Sequence, residues 1–218
     1  IPNLLTKQTY EEVAAIQNKH QQKGSLTYNL NIDVQPEAKF NVIVDPATGD
    51  QLQVQGQAQI NAGVDPSGSI ALTGTYALAN GSYQFSYQFV KRKFLLLKGS
   101  SITLSGDPKK ADADITAAYE INTSPLDLLG NEIGGGTAAE NSIYKRKVPF
   151  QVLLKIKGQV TAPELSFDIV LKEKAEGVSY EVANTIENKL QQLRTDPSAM
   201  NKQVFALLIM NRFIGEQS

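Results

Sequence analysis

Asp112 and Asp114 stand two residues apart. On a strand that spacing puts both carboxylates on one side, an arrangement suited to paired acid–base chemistry. They alternate with Ala111, Ala113 and Ile115, so they fall on the wet side of that strand, where charge serves solubility. The single histidine, His20, follows Val13 and Ile16 at helical spacing and reads as a helix-face residue rather than a ligand or base. With no Cys and one His, a disulfide scaffold, a thiolate metal site and a Cys nucleophile are excluded. A His-based metal site or a Ser-His-Asp triad is disfavoured. Gly134-Gly135-Gly136 lacks the Lys and helix start of a phosphate cradle and reads as loop. No phosphate-loop, dinucleotide or nucleophile-elbow motif is present. Lys91-Arg92-Lys93 and Lys145-Arg146-Lys147 each flank a strand start and read as guards against aggregation. The functional alternative is contact with anionic headgroups or an acidic partner. Asn80-Gly81-Ser82 and Asn122-Thr123-Ser124 match the short glycosylation sequon, a pattern common by chance. An enzyme is the least favoured class, and no catalytic residue, metal or cofactor is expected.

The elements that position these side chains follow from composition and period. The chain has 218 residues, with 21 basic against 22 acidic side chains, so net charge argues for no nucleic-acid partner. The longest wholly apolar stretch, Val204 to Met210, is too short to span a bilayer. The first residue is Ile1, and the expectation is a segment of a longer protein whose anchor and targeting signals lie elsewhere. Three parts are expected: a helical segment over residues 1–24, a sheet over 25–172 and a helical segment over 173–218. Thr9 with Glu12 forms a capping box for the first helix, and Gly24 ends it.

From Ser25 onward the period is two. Leu52, Val54, Gly56, Ala58, Ile60 and Ala62 alternate with five glutamines and an asparagine, which requires a strand with one dry face. The pattern recurs at Leu30, Ile32 and Val34, and at Phe40, Val42 and Val44. Ile70, Leu72, Tyr76 and Leu78 follow, and then the aromatic stripe Tyr83, Phe85, Tyr87 and Phe89. Phe94 with Leu96, Ile102 with Leu104, and Ala113, Ile115, Ala117, Tyr119 and Ile121 continue it. Val148, Phe150, Val152, Leu154 and Ile156, and then Leu165, Phe167, Ile169 and Leu171, complete it. Turn residues separate these runs: Asp65-Pro66-Ser67-Gly68, Gly106-Asp107-Pro108, Ala162-Pro163-Glu164, and Asn80-Gly81, which predicts a tight hairpin. The reading is an antiparallel meander of about eight to ten strands. Afterwards Val182, Ile186, Leu190 and Leu193 form one helical stripe. Asp196-Pro197 caps a second helix whose Val204–Met210 segment is apolar on nearly all sides.

The dry faces of all these strands are aliphatic, aromatic, Ala or Gly. They close into a filled core, or they curl into a trough that stays open; periodicity allows both. A charge-free helix such as Val204 to Met210 has the composition to lie inside such a trough.

Several runs resemble the TamB C-terminal domain family, in the AsmA-like group of bridge proteins of Gram-negative envelopes. They are Gly81-Ser82-Tyr83-Gln84-Phe85, the stretch Phe94 to Pro108 with its Gly99-Ser100-Ser101-Ile102-Thr103-Leu104-Ser105-Gly106-Asp107-Pro108 step, Ala111 to Tyr119, and Leu154 to Phe167. The resemblance covers residues 25 to 215. It implies a mainly β fold: a curved antiparallel sheet forming a β-taco or half-pipe with an apolar interior, plus an N-terminal helix and two C-terminal helices. It implies that Leu52, Val54, Ile60, Ile70, Leu72, Tyr76, Leu78, Tyr83, Phe85, Tyr87, Phe89, Phe94, Leu96, Ile102, Leu104, Ile115, Tyr119, Val148, Phe150, Val152, Leu154, Ile156, Leu165, Phe167 and Ile169 line a lipid groove. It also implies a periplasmic location, an inner-membrane anchor outside this chain, phospholipid or another acyl-chain ligand, and a TamA-like Omp85 partner in the outer membrane.

Three readings follow: a conduit for phospholipid, an assembly factor for outer-membrane β-barrel proteins, and a structural spacer with a packed core. Phe85→Asp and Phe150→Asp separate the last from the others, because in a packed core each would bury an unpaired charge and unfold the domain.

Overall fold

The computed structural model describes residues 27–45, 49–65, 67–87, 90–130, 133, 142–172 and 178–215. The helix expected over residues 1–24, Phe89 and the Gly134–Gly136 stretch lie outside them, as do the side chains of Val42, Val44 and Tyr87. Nine strands form one antiparallel sheet: β1 (Tyr28–Val34), β2 (Lys39–Asp45), β3 (Asp50–Val64), β4 (Ile70–Tyr87), β5 (Val90–Leu96), β6 (Ser101–Gly106), β7 (Asp112–Thr123), β8 (Val148–Gln159) and β9 (Glu164–Leu171). The sheet is curved and does not close into a barrel. A short helix, α1 (Leu126–Leu129), follows β7, and two longer ones, α2 (Tyr180–Arg194) and α3 (Pro197–Met210), follow β9.

The order is not that of a simple meander. β1 and β2 lie end to end along one side of β3, β1 against Ala58–Val64 and β2 against Asp50–Gln55. β5 and β6 likewise lie end to end between β4 and β7. Strand length is the reason. β3 and β4 have 15 and 18 residues, and their neighbours on these sides have 6 or 7. At about 3.4 Å per residue the two long strands run roughly 50–60 Å, so two short ones are needed to cover each.

β4 is long because the hairpin expected at Asn80-Gly81 does not form; the strand passes straight through it. The pairing steps from Gln55↔Asn80 to Gly56↔Leu78, leaving Ala79 as the extra residue of a bulge. The bulge explains the change of phase in the sequence: the apolar face runs on even numbers to Leu78 and on odd numbers from Gly81. Glycine serves close approach here rather than a turn. A Cβ on Gly81 would stand 2.5 Å from the Gln53 carbonyl oxygen, and one on Gly56 would collide with the carbonyl of Ala77.

The joint between β5 and β6 falls in the Lys98-Gly99-Ser100 step. Ser100 is buried; its hydroxyl donates to the Leu97 carbonyl at 2.8 Å and accepts from the Thr116 amide at 3.1 Å. Its own carbonyl accepts from the Leu78 amide at 2.9 Å. One residue thus ties the break between two short strands to the long strand on either side.

α2 is capped by Ser179, whose hydroxyl accepts from the Val182 amide at 3.3 Å; Val182, Ile186, Leu190 and Leu193 are buried on one stripe. α3 begins at Asp196, whose carboxylate accepts from the Ser198 and Ala199 amides, with Pro197 at its first position. It ends at Asn211 in the left-handed conformation, φ 57°. The Gln203 side chain then clamps the tail back, donating to the Ile214 carbonyl at 2.7 Å and accepting from the Ile214 amide at 3.0 Å.

Candidate functional site

The register puts the alternating apolar residues of every strand on one face. Leu52 lies opposite Tyr83, Val54 opposite Gly81, Tyr76 opposite Ile102, and Tyr83 opposite Phe94. Ile115 meets Ile156, Tyr119 meets Val152, and Leu154 meets Phe167. The face is concave: Phe40 of β2 reaches across β3 to Tyr76 of β4, with ring centroids 5.6 Å apart. The small side chains Gly56, Ala58, Gly74, Gly81, Ala113 and Ala117 recur on this face, where the curl crowds side chains together.

Along this trough the environment changes. At one end α2, α3 and the tail lie on the sheet. Phe94, Phe150, Val152 and Ile169 are fully buried there in one cluster with Ile186, Leu190, Val204, Leu207 and Phe213. Phe213 stacks edge-on against Phe150 at 4.9 Å. In the middle, Val54, Leu78, Ala113 and Ile115 form a second cluster, buried by the curl of the sheet, with Leu52, Tyr76, Leu96, Ile102 and Ile156 partly buried around it. At the other end no described helix covers the same face, and its large side chains are exposed: Leu30 is 56% exposed, Ile70 55% and Leu165 60%.

The expected lining residues therefore separate into three environments. Phe94, Val148, Phe150, Val152, Leu154 and Ile169, with Val54, Leu78 and Ile115, are buried. Leu72, Tyr83, Phe85, Leu104, Tyr119, Phe167 and Ile60 are half-buried, and Ile70 and Leu165 stand in solvent. Beneath the helices the trough is a packed core, so Phe150→Asp tests folding there rather than an accessible groove. The Tyr76 hydroxyl is buried with no hydrogen-bond partner among the described residues, and burial pushes its pKa up.

Two polar connections hold the helices to the sheet. Arg92 is one of them, and the sequence reading missed it by treating Lys91-Arg92-Lys93 as a unit. It lies in phase with Val90, Phe94 and Leu96, opposite Phe85, so it points to the apolar side. Its guanidinium donates to the Leu208 carbonyl at 2.8 Å, near the C-terminus of α3, and lies 5.6 Å from the Tyr119 ring centroid. Lys91 and Lys93 are exposed. The period-two alternation itself was the available signal.

The second connection is Asp168 on β9. Its carboxylate accepts from Arg194 of α2 at 2.9 Å and from Lys155 of β8 at 3.2 Å. Burial opposes the charge, but these hydrogen bonds prevail and hold its pKa below the ordinary value of 3.8. Arg194 also donates to the Ile169 carbonyl, so α2 covers part of the β9 edge.

The opposite face is wet and cross-linked by ion pairs. Lys172 meets Glu120 at 2.7 Å, which lowers the Glu120 pKa. Lys157 meets Asp114 at 3.6 Å, both largely exposed, so Asp114 is a surface charge of the sheet. A cavity of about 620 Å³ lies toward this side, among Asp33, Gln35, Gln57, Gln59 and Thr75. Among the described residues no three His, Cys, Asp or Glu side chains are placed to hold a metal ion, and no helix is long and apolar enough to cross a membrane.

Neither the curated proteins nor the solved structures yield a match to this chain. The TamB C-terminal domain family matches residues 3–218, essentially the whole length, and so extends beyond the residues 25 to 215 that the motif resemblance covers. A curved nine-stranded sheet with one apolar face and helices at its C-terminal end goes with that match: this chain belongs to the TamB C-terminal domain family, a family of Gram-negative envelope proteins.

Proposed function

We propose that this chain is a TamB-like segment whose apolar trough shields phospholipid acyl chains as lipid passes between inner and outer membranes. The observation that carries this reading is the bare end of the trough, where Leu30, Ile70 and Leu165 continue a one-sided apolar face into solvent. Each acyl CH₂ moved into water costs roughly 0.8 kcal/mol, so two tails cost on the order of 20 kcal/mol. A continuous dry surface removes most of that barrier. Its lining is aliphatic and aromatic with few polar atoms, which suits sliding better than a single deep site. Headgroups would stay at the wet rim. The reading needs no catalytic residue and places the chain in the periplasm.

The test is organic extraction and mass spectrometry of protein purified without detergent. Stoichiometric phospholipid is expected, and Leu30→Asp/Ile70→Asp should lose it while keeping its circular dichroism spectrum. A folded wild type with no lipid would overturn the proposal.

A second reading, an assembly factor working with a TamA-like Omp85 partner, draws on the sheet order. Among the described residues β1 ends the sheet on one side, an edge to which an added strand can pair. It expects β-barrel peptides to bind equally well to Leu30→Asp/Ile70→Asp.

A further inference from the structure

The sheet has two places where short strands meet end to end beside a long one, and the two are finished differently. Between β5 and β6 the joint is filled by the buried Ser100, whose hydroxyl and carbonyl bond to the strands on both sides. Between β1 and β2 no described side chain does the same. Pairing to β3 stops at Val34↔Ala58 and resumes at Lys39↔Gln55, so Gly56 and Gln57 have no partner residue on that side. The chain crosses the gap in a tight turn, closed by the Ala38 amide donating to the Gln35 carbonyl at 3.0 Å. On the wet face this joint opens into the cavity of about 620 Å³.

The register sets hydrogen-bonding groups along its walls. Asp33 lies opposite Gln59, and Gln59 opposite Thr75. A carboxylate, a carboxamide and a hydroxyl therefore stand in one row across three strands, about 4.8 Å from strand to strand. Gln57 lies two residues along β3 on the same face, opposite Ala77. Pro36 and Ala77 add small apolar surfaces. None of the Asp33, Gln35, Gln57, Gln59 and Thr75 side chains makes a hydrogen bond or ion pair with another described residue. A smaller depression of about 310 Å³ adjoins the first along the seam of β1 and β3; it shares Asp33 and Gln59 and adds Asn31 and Asn61.

The surroundings are uncharged. β3 from Gln51 to Val64, β4 and β6 hold no Asp, Glu, Lys or Arg, whereas the wet face of β7 to β9 carries ion pairs such as Lys157 with Asp114. Glu37 and Lys39, at the turn and the start of β2, have opposite charges and do not line the cavity. Asp33 is thus the one charge among the described lining residues. It repels a phosphate or other anion, and it has no second or third acid beside it to hold a metal ion. Carboxamides and a hydroxyl each donate and accept, and a carboxylate accepts from two donors at once. Adjacent hydroxyls on a sugar ring require that combination, and the C–H faces of the ring require small apolar contacts such as Pro36 and Ala77.

We propose that the joint between β1 and β2 is a binding site for a neutral pyranose saccharide, with Asp33 and Gln59 shared between two adjoining ring positions. The larger cavity has the volume of a small-molecule site. No aromatic ring occurs among the described lining residues, so binding is weak and strengthens with the number of rings bound. The site lies on the opposite face of the sheet from the trough and holds whether or not the trough carries lipid.

The test is a titration of the isotope-labelled 218-residue chain with N-acetylglucosamine, N,N′-diacetylchitobiose and cellobiose, followed by amide chemical shifts. Saturable shifts centred on Asp33, Gln57, Gln59 and Thr75 are expected, with the disaccharides binding more tightly than the single sugar. Tighter binding of diacetylchitobiose than of cellobiose assigns the site to glycans of N-acetylated hexosamines; equal binding assigns it to neutral hexoses as a class. Asp33→Ala and Gln59→Ala should each weaken binding on the order of tenfold, because each removes a hydrogen-bonding group. Both residues are exposed, so the variants should keep the wild-type circular dichroism spectrum. Gln53→Ala, on the same face outside the cavity, should bind like wild type. No saturable shift with any of the three sugars, or binding unchanged in Asp33→Ala and Gln59→Ala, would overturn the proposal. So would spermidine shifting the same amides where the sugars do not, which would assign Asp33 to a cationic amine.

Discussion

At one end of the apolar face Phe94, Phe150, Val152 and Ile169 are sealed beneath α2, α3 and the Phe213 tail; at the other, Leu30, Ile70 and Leu165 stand in solvent. The strands do not differ in kind between these ends. β8 runs from the covered region, at Val148 to Leu154, to the uncovered one at Gly158 and Gln159, with the same alternation along most of its length. What differs is what lies on top. The covered end is an ordinary helix-on-sheet core, in which loss of water and close packing act together. The bare end has the same side chains without that partner, so its apolar surface contributes little to folding and stays available for something else.

The largest expected effect breaks this comparison outright. Phe150→Asp should cost at least about 4 kcal/mol or abolish folding, since it deletes a fully buried ring and leaves an unpaired charge in its place. Leu30→Asp, at the bare end, should stay within about 1 kcal/mol of wild type. Urea denaturation of the two variants measures both. Equal losses would show that the bare end is also part of the folded core.

A smaller effect concerns the attachment of the helices. Asp168→Asn should cost about 2 kcal/mol at neutral pH, because hydrogen bonds from Arg194 and Lys155 to a charged acceptor are weakened. The folded pKa of Asp168 lies below 3.8, so its contribution is present above that value and is lost as pH falls through the lower folded one. Wild-type and variant melting curves should therefore converge only in stronger acid, once pH has fallen through the folded pKa, which lies below 3.8, and the wild-type carboxylate is protonated in the folded state as well. A gap that persists there would locate the loss in packing rather than in charge.

The smallest effect sharpens the middle of the trough. Tyr76→Phe removes a buried hydroxyl with no hydrogen-bond partner among the described residues and keeps the ring against Phe40. It should be neutral or stabilising by up to about 1 kcal/mol, read from thermal unfolding. Destabilisation would mean that the hydroxyl has a partner in solution.

Much of the sheet was legible because period two is a local property. Leu52 to Ala62 and Ile115 to Ile121 announce strand, face and polarity without reference to any neighbour. The α2 stripe and the Asp196-Pro197 start of α3 were legible for the same reason. Asn80-Gly81 was misread because a bulge and a hairpin leave the same local signature, a glycine at a change of phase. Only the partner strand β3, running on past the bulge, distinguishes them. Arg92 was misread because charge outweighed phase in the reading of a basic triplet. The burial of Phe150 and the exposure of Leu165 were not legible at all.

The sequence by itself determined that this chain makes a sheet with one dry face, and which side chains lie on it, because backbone pleating couples residue number to face. It also determined that two helices follow. Only the tertiary structure decided that short strands lie end to end along long ones, that β4 does not turn back at Asn80-Gly81, and that the helices cover one end of the face and leave the other bare. Those outcomes depend on contacts between residues far apart in the chain, such as Phe150 with Phe213 and Arg92 with Leu208. No local pattern records which of several equally apolar surfaces a helix will come to cover.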